Sequence, residues 1–240
     1  MPDEPRTPTT VRPATAPVRT AADVWFVIPV YNEAAVVGGV VREIIEAGYR
    51  VICVDDGSRD TSAQVARQAG AVLVQHAVNL GQGAALQTGI EFALRRRAAY
   101  IVTFDADGQH QLADAVAMVE TAQRDGLAVV FGSRFLDNRT DPGRLKRYVL
   151  RFAAWFTRHS TGLKLTDAHN GLRVIRADAA QGIDLRQNGM AHASEIVRQL
   201  GRPKLPWTEF PVHVLYTDYS KAKGQSLWNS VNILTDLFMR

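Results

Sequence analysis

The chain has 240 residues, of which 46% are hydrophobic, enough for one α/β domain with appendages or at most two small domains. Its net charge of +4 suits phosphate-bearing substrates or an anionic membrane surface, whereas its scattered arginines, without a zinc finger or an aromatic RNA-binding signature, argue against nucleic acid as a partner. Cys53 is the only cysteine, which excludes an intramolecular disulfide and favours a reducing cytoplasm. No apolar run of about 18 residues predicts a membrane span, and the first residues do not have the pattern of a secretory signal.

The first 22 residues are predicted to form a disordered tail. They include five prolines and almost no large apolar residues. Such a segment cannot bury enough surface to offset the entropy lost on ordering. We therefore expect the globular domain to begin at residue 23.

Strands and helices alternate regularly from residue 24 to residue 131. Short apolar runs rich in β-branched residues predict the strands, and a repeat of three to four residues predicts the helices between them. This alternation favours an α/β fold with a mostly parallel sheet and helices on both faces. The predicted strands cover residues 24–30, 50–54, 71–75, 100–104 and 127–131, and the helices cover 33–47, 60–69, 81–97 and 111–124.

After residue 136 the alternation becomes irregular. Residues 144–159 form a predicted helix with basic side chains on one side and aromatic side chains on the other. Such a helix suits a membrane interface, and packing on the sheet explains it equally well. The remaining predictions are strands over 170–175 and 209–216, a helix over 191–200, a loop over 219–225 and an amphipathic helix over 227–239.

Three predicted strands end in polar or acidic residues. The first runs into Tyr31 and Glu33, the second into Asp55 and Asp56, and the fourth into a sequence that starts at Asp105. Ligands of open α/β sheets bind outside the carboxyl ends of the strands. Three such ends in one chain therefore predict a binding site at this edge of the sheet.

The pair Asp105-x-Asp107 has the chemistry of a divalent-cation site. Carboxylates at a strand end can hold Mg²⁺ together with substrate phosphates. An EF-hand loop that starts at Asp105 is excluded, because it would need glycine and glutamate where His110 and Val116 stand. A haloacid dehalogenase-type nucleophile motif is disfavoured, because Gln109 follows the glycine where that class shows threonine.

Gly81 and Gly83 open the third predicted helix. Glycine allows close backbone approach, and a helix N-terminus favours an anion. Close helix packing explains the pair as well. A Rossmann fingerprint is excluded, because Leu86 stands where its third glycine belongs.

These motifs, in this order, resemble the family 2 glycosyltransferases of GT-A fold over residues 24–226. The resemblance rests on residues 27–33, 54–58, 79–81 and 104–110. Within the family the chain is most similar to the dolichyl-phosphate mannose synthase and polyprenyl-phosphate glycosyltransferase branch. That narrower match rests on residues 132–135, on Asp167 with residues 171–173, and on the loop that starts at Lys221. Two positions depart from the branch: Lys221 replaces arginine, and Asn170 replaces serine.

The resemblance implies roles for individual residues. A nucleotide-binding set would comprise Pro29, Tyr31, Glu33, Asp55, Asp56, Gly81 and Asp105, and the first five of these would hold the nucleoside. A metal-binding set for Mg²⁺ or Mn²⁺ would comprise Asp105, Asp107 and Gln109. The residues that face phosphates or the acceptor would be Arg134, Arg173 and Lys221.

The implied activity is metal-dependent transfer, with inversion, of a sugar from a UDP- or GDP-linked donor to a polyprenyl phosphate. Asp107 and Glu195 are the implied catalytic residues. Glu195 would be a base, or would orient the acceptor, if the acceptor were a saccharide or lipid-linked oligosaccharide hydroxyl in cell-envelope polysaccharide synthesis. A further alternative is a non-catalytic nucleotide-sugar-binding subunit.

The expected location is peripheral, on the inner face of the cytoplasmic membrane. The contact would be made through the helices at 144–159 and 227–239, with or without a small membrane-protein partner. The domain organisation expected from the sequence is a tail over 1–22, a glycosyltransferase domain over 23–226, and a terminal amphipathic segment over 227–240.

Overall fold

The computed structural model describes residues 21–136, 163, 165–189, 191–201 and 205–215. Within that part of the chain, none of the helices combines the length and the apolar character that crossing a membrane requires. The predicted tail up to residue 20, the predicted helices at 144–159 and 227–239, and Lys221 lie outside the described residues.

Seven strands and six helices follow a short 3₁₀ turn at Ala21–Asp23 in the described part of the chain. The strands are β1 (Val24–Val30), β2 (Arg50–Asp55), β3 (Val72–Gln75), β4 (Tyr100–Thr103), β5 (Val129–Ser133), β6 (Arg173–Arg176) and β7 (Trp207–Pro211). The helices are α1 (Val37–Glu46), α2 (Ser62–Gln68), α3 (Gln82–Arg95), α4 (Leu112–Arg124), α5 (Ala177–Ala180) and α6 (His192–Gly201).

The strands form one sheet in the order β3-β2-β1-β4-β6-β5-β7. Strands β1 to β4 pair in parallel, as does β5 with β7. Strand β6 is inserted between β4 and β5 and runs antiparallel to both, with Arg173 opposite Thr103 and Phe131. Its first residue therefore lies at the edge where β4 and β5 end.

Both faces of the sheet are covered, as expected for a largely parallel sheet. Along β1, Phe26 and Ile28 face α1 and α4, while Trp25 and Val27 face α3 and α6. The alternation follows from the period of two in a strand. Cys53 is buried in β2, and burial raises the pKa of its thiol to about 12.

The predicted fold class is confirmed, with two local corrections. The predicted strand over 209–216 is found at Trp207–Pro211, and the helix Ala177–Ala180 was not predicted. A four-residue helix is too short to show a helical repeat in the sequence. The antiparallel direction of β6 also had no sequence signal, because direction depends on the path of the preceding chain.

Candidate active site

Polar residues of five strands meet at one edge of the sheet. Strands β1, β2, β4 and β5 bring their carboxyl ends there, and β6 brings its amino end. Most residues that the sequence singled out lie at this edge, where open α/β sheets bind their ligands.

The loops after β1 and β2 are tied to each other. Asn32, with a φ of 54°, receives a hydrogen bond from the Arg59 amide at 2.8 Å, and its own amide donates to Ser58 Oγ at 3.0 Å. The Glu33 amide donates to Ser62 Oγ at 2.7 Å. These contacts fix the two loops that carry the predicted nucleoside residues.

The adjacent acids Asp55 and Asp56 are both buried but have different surroundings. Asp56 accepts hydrogen bonds from the amides of Leu80 at 2.9 Å and Gly81 at 2.7 Å, and His76 Nδ1 lies 2.7 Å from its Oδ1. Within the described residues, Asp55 Oδ1 is buried and has no hydrogen-bond partner. Asp56 therefore organises the loop before α3, whereas Asp55 keeps a free acceptor atom.

The first turn of α3 is covered by a segment comprising residues 186–189. The Gly83 amide donates to the Asn188 carbonyl at 3.2 Å. A side chain at Gly81, which has a φ of 99°, or at Gly83 would collide with the carbonyl oxygens of Asn188 and Gln187, respectively. The two glycines thus permit close backbone packing, and the amides of Gly81 and Gly83 already donate to protein acceptors.

The carboxylate of Asp105 is held on both oxygens. Gln82 Nε2 donates to Oδ1 at 3.2 Å, and His110 Nε2 lies 3.0 Å from Oδ2. Asp107 Oδ1 accepts a hydrogen bond from the Gln109 amide at 3.0 Å. The turn at residue 108 has a φ of 71°, which favours the glycine found there.

The two carboxylates differ in pKa. Burial and the charge of Asp105 raise the pKa of Asp107 to about 6. Burial acts in the same direction on Asp105, but the hydrogen bond and charge of His110 and the charges of Arg173 and His192 leave the pKa of Asp105 lowered. A positive charge between the carboxylates would offset their mutual repulsion.

The oxygens of Asp105, Asp107 and Gln109 suit a hard divalent cation in kind. The described residues contain no cluster of three or more His, Cys, Asp or Glu side chains that could hold a metal ion without other ligands. Two carboxylates and one amide would leave positions for oxygens of a substrate, as is usual for Mg²⁺.

Arg173 is buried beside Asp105, with only 2% of its surface exposed. Its Nη1 lies 3.4 Å from the Gly171 carbonyl, while Nε and Nη2 have no hydrogen-bond partner within the described part of the chain. Burial lowers its pKa to about 10, against the opposing charges of Asp105 and Asp167, so the guanidinium stays positive at neutral pH. A buried cation with unused donors is suited to an anionic ligand.

Arg134 makes a bidentate ion pair with Asp167. Its Nε and Nη2 lie 2.6 Å and 2.7 Å from the two carboxylate oxygens, and its amide donates to the same group at 3.2 Å. Burial would raise the pKa of Asp167, but the charge and hydrogen bonds of Arg134 hold it below its usual range. This pair joins the end of β5 to the segment before β6.

Glu195 lies buried in the first turn of α6. Its Oε2 accepts hydrogen bonds from the amides of Arg186 at 3.0 Å and Gln187 at 2.9 Å. The carboxylate thus contacts the 186–189 segment.

Sequence reasoning assigned no role to Gln82 or His192. Gln82 stands between the two glycines that the sequence did single out, so its position was the available signal. The His192 ring lies 2.8 Å from the Gly189 carbonyl, and burial lowers its pKa. Nothing in the spacing of the sequence places this histidine near the acids.

Comparison with protein families gives a direct match. The sequence model of Glycosyl transferase family 2 matches residues 25–183. That range includes strands β1 to β6 except for the first residue of β1.

Similar sequences cover between 71% and 91% of the chain in the three examples that follow. An uncharacterised protein of Methanocaldococcus jannaschii is 31% identical over 226 residues, 91% of this chain and 92% of the relative. UDP-N-acetylglucosamine–dolichyl-phosphate N-acetylglucosaminyltransferase of Methanococcus voltae is 28% identical over 90% of this chain and 95% of the relative. Polyprenol monophosphomannose synthase of Mycolicibacterium smegmatis is 30% identical over 71% of this chain and 68% of the relative.

Solved glycosyltransferases share the fold. Glucosyl-3-phosphoglycerate synthase of Mycobacterium tuberculosis, crystallised with Mn²⁺, UDP and glucosyl-3-phosphoglycerate, superimposes with a TM-score of 0.63. The match covers 89% of this chain and 78% of that chain at 18% identity. At this identity the likeness concerns the fold alone.

Proposed function

The chain belongs to glycosyl transferase family 2, and from this premise we propose that it transfers a sugar from a nucleoside-diphosphate sugar to a polyprenyl phosphate. The observation that carries the proposal is the position of Asp105, two residues before Asp107, beside the buried guanidinium of Arg173. The two carboxylates can bind a divalent cation, and two nitrogens of the guanidinium have no hydrogen-bond partner among the described residues. Such a site suits a reaction in which the transferred sugar lies between the phosphates of the donor and the phosphate of the acceptor.

The donor nucleoside would bind at the ends of β1 and β2. We assign its contacts to Pro29, Tyr31, Glu33 and Asp55. Asp55 Oδ1 is buried and has no hydrogen-bond partner among the described residues, which supports this assignment, because such an acceptor gains from a base N–H or a ribose hydroxyl. Asp56 and Gly81 would contribute indirectly, by fixing the loop before α3.

The donor diphosphate would lie near the acid pair. Asp105, Asp107 and Gln109 would hold Mg²⁺ or Mn²⁺, which would supply Lewis-acid stabilisation of charge on the leaving nucleoside diphosphate. Gln82 and His110 orient Asp105, so the geometry of this carboxylate is set before the donor binds.

The acceptor phosphate would bind Arg173. Its guanidinium is buried and charged, and two of its nitrogens have no partner among the described residues. Arg134 and Lys221 would contribute further positive charge. Nε and Nη2 of Arg134 already donate to the carboxylate of Asp167. Arg134 would therefore act on the acceptor at a distance, or would first have to break its ion pair with Asp167.

A phosphate acceptor would need no base from the protein. A phosphate oxygen is already anionic and attacks without prior loss of a proton, whereas a hydroxyl requires a base. The names of the relatives from Methanococcus voltae and Mycolicibacterium smegmatis, which specify dolichyl phosphate and polyprenol monophosphomannose, support the same acceptor class.

Such an acceptor is a membrane lipid. We therefore propose that the protein works as a peripheral enzyme on the cytoplasmic face of the membrane. Binding to anionic vesicles, with or without a small membrane-protein partner, is the corresponding expectation.

The test is release of nucleoside diphosphate from UDP- and GDP-sugars with Mn²⁺, using polyprenyl phosphate, polyprenol and an oligosaccharide as separate acceptors. Asp107→Asn should lower the rate about a hundredfold or more, because metal assistance contributes several kcal/mol at the transition state. Asp125→Asn is the matched control, since Asp125 is exposed and pairs only with Arg124 among the contacts seen.

Turnover with polyprenyl phosphate, and loss of it in Asp107→Asn alone, is the expected result. Turnover with polyprenol or the oligosaccharide but not with polyprenyl phosphate would show that the acceptor is a hydroxyl and that the proposed acceptor class is wrong. A wild-type protein that consumes no donor with any acceptor would contradict the proposal.

A further inference from the structure

A second structural unit lies behind the acid pair and is built around Glu195. The side chain belongs to the first turn of α6 and is 6% exposed. Its Oε2 accepts two backbone hydrogen bonds, from Arg186 at 3.0 Å and Gln187 at 2.9 Å. A carboxylate between two amides forms strong, directional bonds and fixes the backbone that donates them.

The backbone held in this way lies on the first turn of α3. The Gly83 amide donates to the Asn188 carbonyl, and neither Gly81 nor Gly83 has room for a Cβ atom against this segment. The contact is thus between two main chains, with no flexible side chain to absorb a displacement. A shift of the 186–189 segment would move the start of α3.

The start of α3 carries Gln82, which donates to Asp105 Oδ1 at 3.2 Å. His192, one turn before Glu195, reinforces the arrangement through its contact with the Gly189 carbonyl. A continuous path of contacts therefore runs from Glu195 through the 186–189 segment and Gln82 to Asp105.

We propose that Glu195 is a positioning residue for the donor side of the site and does not act as a base. Glu195 holds the 186–189 segment, the segment holds the first turn of α3, and Gln82 sets the orientation of Asp105. This inference rests on the proposed function for its effect on the donor. The contact between Glu195 and the segment can be tested independently of that function.

Two substitutions separate a positioning role from a base. Glu195→Gln keeps a carbonyl oxygen that can accept the two backbone amides, but it cannot take up a proton. Glu195→Ala removes the acceptor altogether. A positioning role requires only the oxygen, whereas a base requires the titratable carboxylate.

A second pair of variants leaves Glu195 intact. Gly83→Ala introduces a methyl group that collides with the Gln187 carbonyl and so displaces the segment. Gly39→Ala is its matched control, because Gly39 also lies in a helix and a Cβ placed there would meet nothing within 4 Å in the described structure beyond its chain neighbours and its own helix backbone.

Three measurements are made on each full-length variant. The first is the kcat and donor KM for nucleoside diphosphate release with polyprenyl phosphate. The second is the Kd of UDP and of GDP with Mn²⁺ by calorimetry. The third is hydrogen exchange of the Arg186 and Gln187 amides, which reports directly on the bonds to Glu195.

Glu195→Gln should stay within about threefold of wild type, because a neutral acceptor is weaker than a charged one but keeps the geometry. Glu195→Ala and Gly83→Ala should weaken nucleotide binding and raise the donor KM about 10–100-fold, the usual effect of losing a group that orients a ligand. In Glu195→Ala the two amides should exchange faster. Gly39→Ala should match wild type.

The proposal is overturned if Glu195→Gln and Glu195→Ala both lose about 10²–10⁴-fold in kcat while their nucleotide affinity stays unchanged, because that is the effect of removing a base. It is also overturned if the two amides stay protected in Glu195→Ala. If Glu195→Ala does not fold, Gly83→Ala and Glu195→Gln decide. If wild type binds neither nucleotide and consumes no donor, the proposed function is wrong, and hydrogen exchange still decides whether Glu195 holds the segment.

Discussion

At the scale of single residues, His169 links stability to pH. The ring is partly buried, and its Nε2 lies 3.2 Å from Ser194 Oγ. Burial lowers the pKa of His169 to about 4. The positive charges of Arg173 and Arg134 also lower it, and the negative charge of Asp167 opposes them. The folded protein therefore holds this histidine neutral at pH values where the unfolded chain, with an ordinary pKa near 6.5, binds a proton.

His169→Gln should therefore reduce the loss of stability in acid. The pKa of His169 is lower in the folded protein than in the unfolded chain. The contribution of this histidine to the free energy of unfolding is therefore complete above about pH 6.5 and declines as the pH falls towards 4. Between about pH 7.5 and 5 the wild type should lose roughly 2 kcal/mol more than the variant. Denaturant unfolding at the two pH values measures the difference.

Ser194→Ala is the matched control, since it removes the hydroxyl partner but keeps the histidine. Its stability should still fall with pH as in the wild type. An equal decline in His169→Gln would show that other groups cause the acid sensitivity.

Asp55 and Asp56 show how far single residues can be predicted from sequence. Their place at the end of a strand was correct, and both were assigned to the nucleoside. The structure gives Asp56 to backbone amides of Leu80 and Gly81, more than twenty positions along the chain. The sequence does not show which backbone amides will donate to a side chain. The different hydrogen bonding of Asp55 and Asp56 could therefore be found only from the tertiary structure.

At the scale of elements, the first turn of α4 contacts the last described segment of the chain. Asp114 Oδ2 accepts a hydrogen bond from the His213 amide at 2.7 Å. The Leu215 amide donates to the Gln109 carbonyl at 2.9 Å, and His110 pairs with Val214 in an isolated antiparallel bridge. The loop that carries the proposed metal residues is thus tied to residues 213–215.

Asp114→Ala should destabilise the protein by about 1–3 kcal/mol, because it leaves the amide of the half-buried His213 without this acceptor. Asp114→Asn, which keeps an oxygen in place, should lose less. Chemical denaturation of both variants beside Asp125→Ala, an exposed control, checks the order. Equal losses in the alanine and asparagine variants would argue against the hydrogen bond as the cause.

Elements with strong sequence patterns were predicted well, and the exceptions have physical reasons. Strand β1 was predicted with its observed bounds, because Val24 to Val30 is a continuous apolar run. The strand expected over 209–216 ends at Pro211, and its continuation pairs with the loop after β4. Local propensity identified the apolar run, but the partner determined where pairing stops.

At the scale of the whole molecule, ligand binding should stabilise the folded chain. A nucleoside diphosphate with Mn²⁺ at about a hundred times its Kd adds about 2.7 kcal/mol to the free energy of unfolding. For a chain of this size we expect a rise in Tm of roughly 5–10 °C. Thermal unfolding with UDP or GDP, with Mn²⁺ or with EDTA, measures it.

The metal-dependent part of that rise should be absent in Asp107→Asn, whereas Asp125→Asn should keep it. An equal rise with EDTA and with Mn²⁺ would mean that the nucleotide binds without the metal. In that case the roles proposed for Asp105, Asp107 and Gln109 would be wrong.

The reversed strand β6 has a consequence for the order of assembly. Strand β4 finds one neighbour in β1, fewer than eighty residues earlier, but its other neighbour is synthesised about seventy residues later. Until Arg173 to Arg176 emerge from the ribosome, one side of the apolar strand Tyr100–Thr103 is an exposed strand edge. Its unpaired backbone groups can pair with another chain. The same four residues bring the buried guanidinium. The nascent chain therefore covers this strand edge and buries the Arg173 guanidinium in one step.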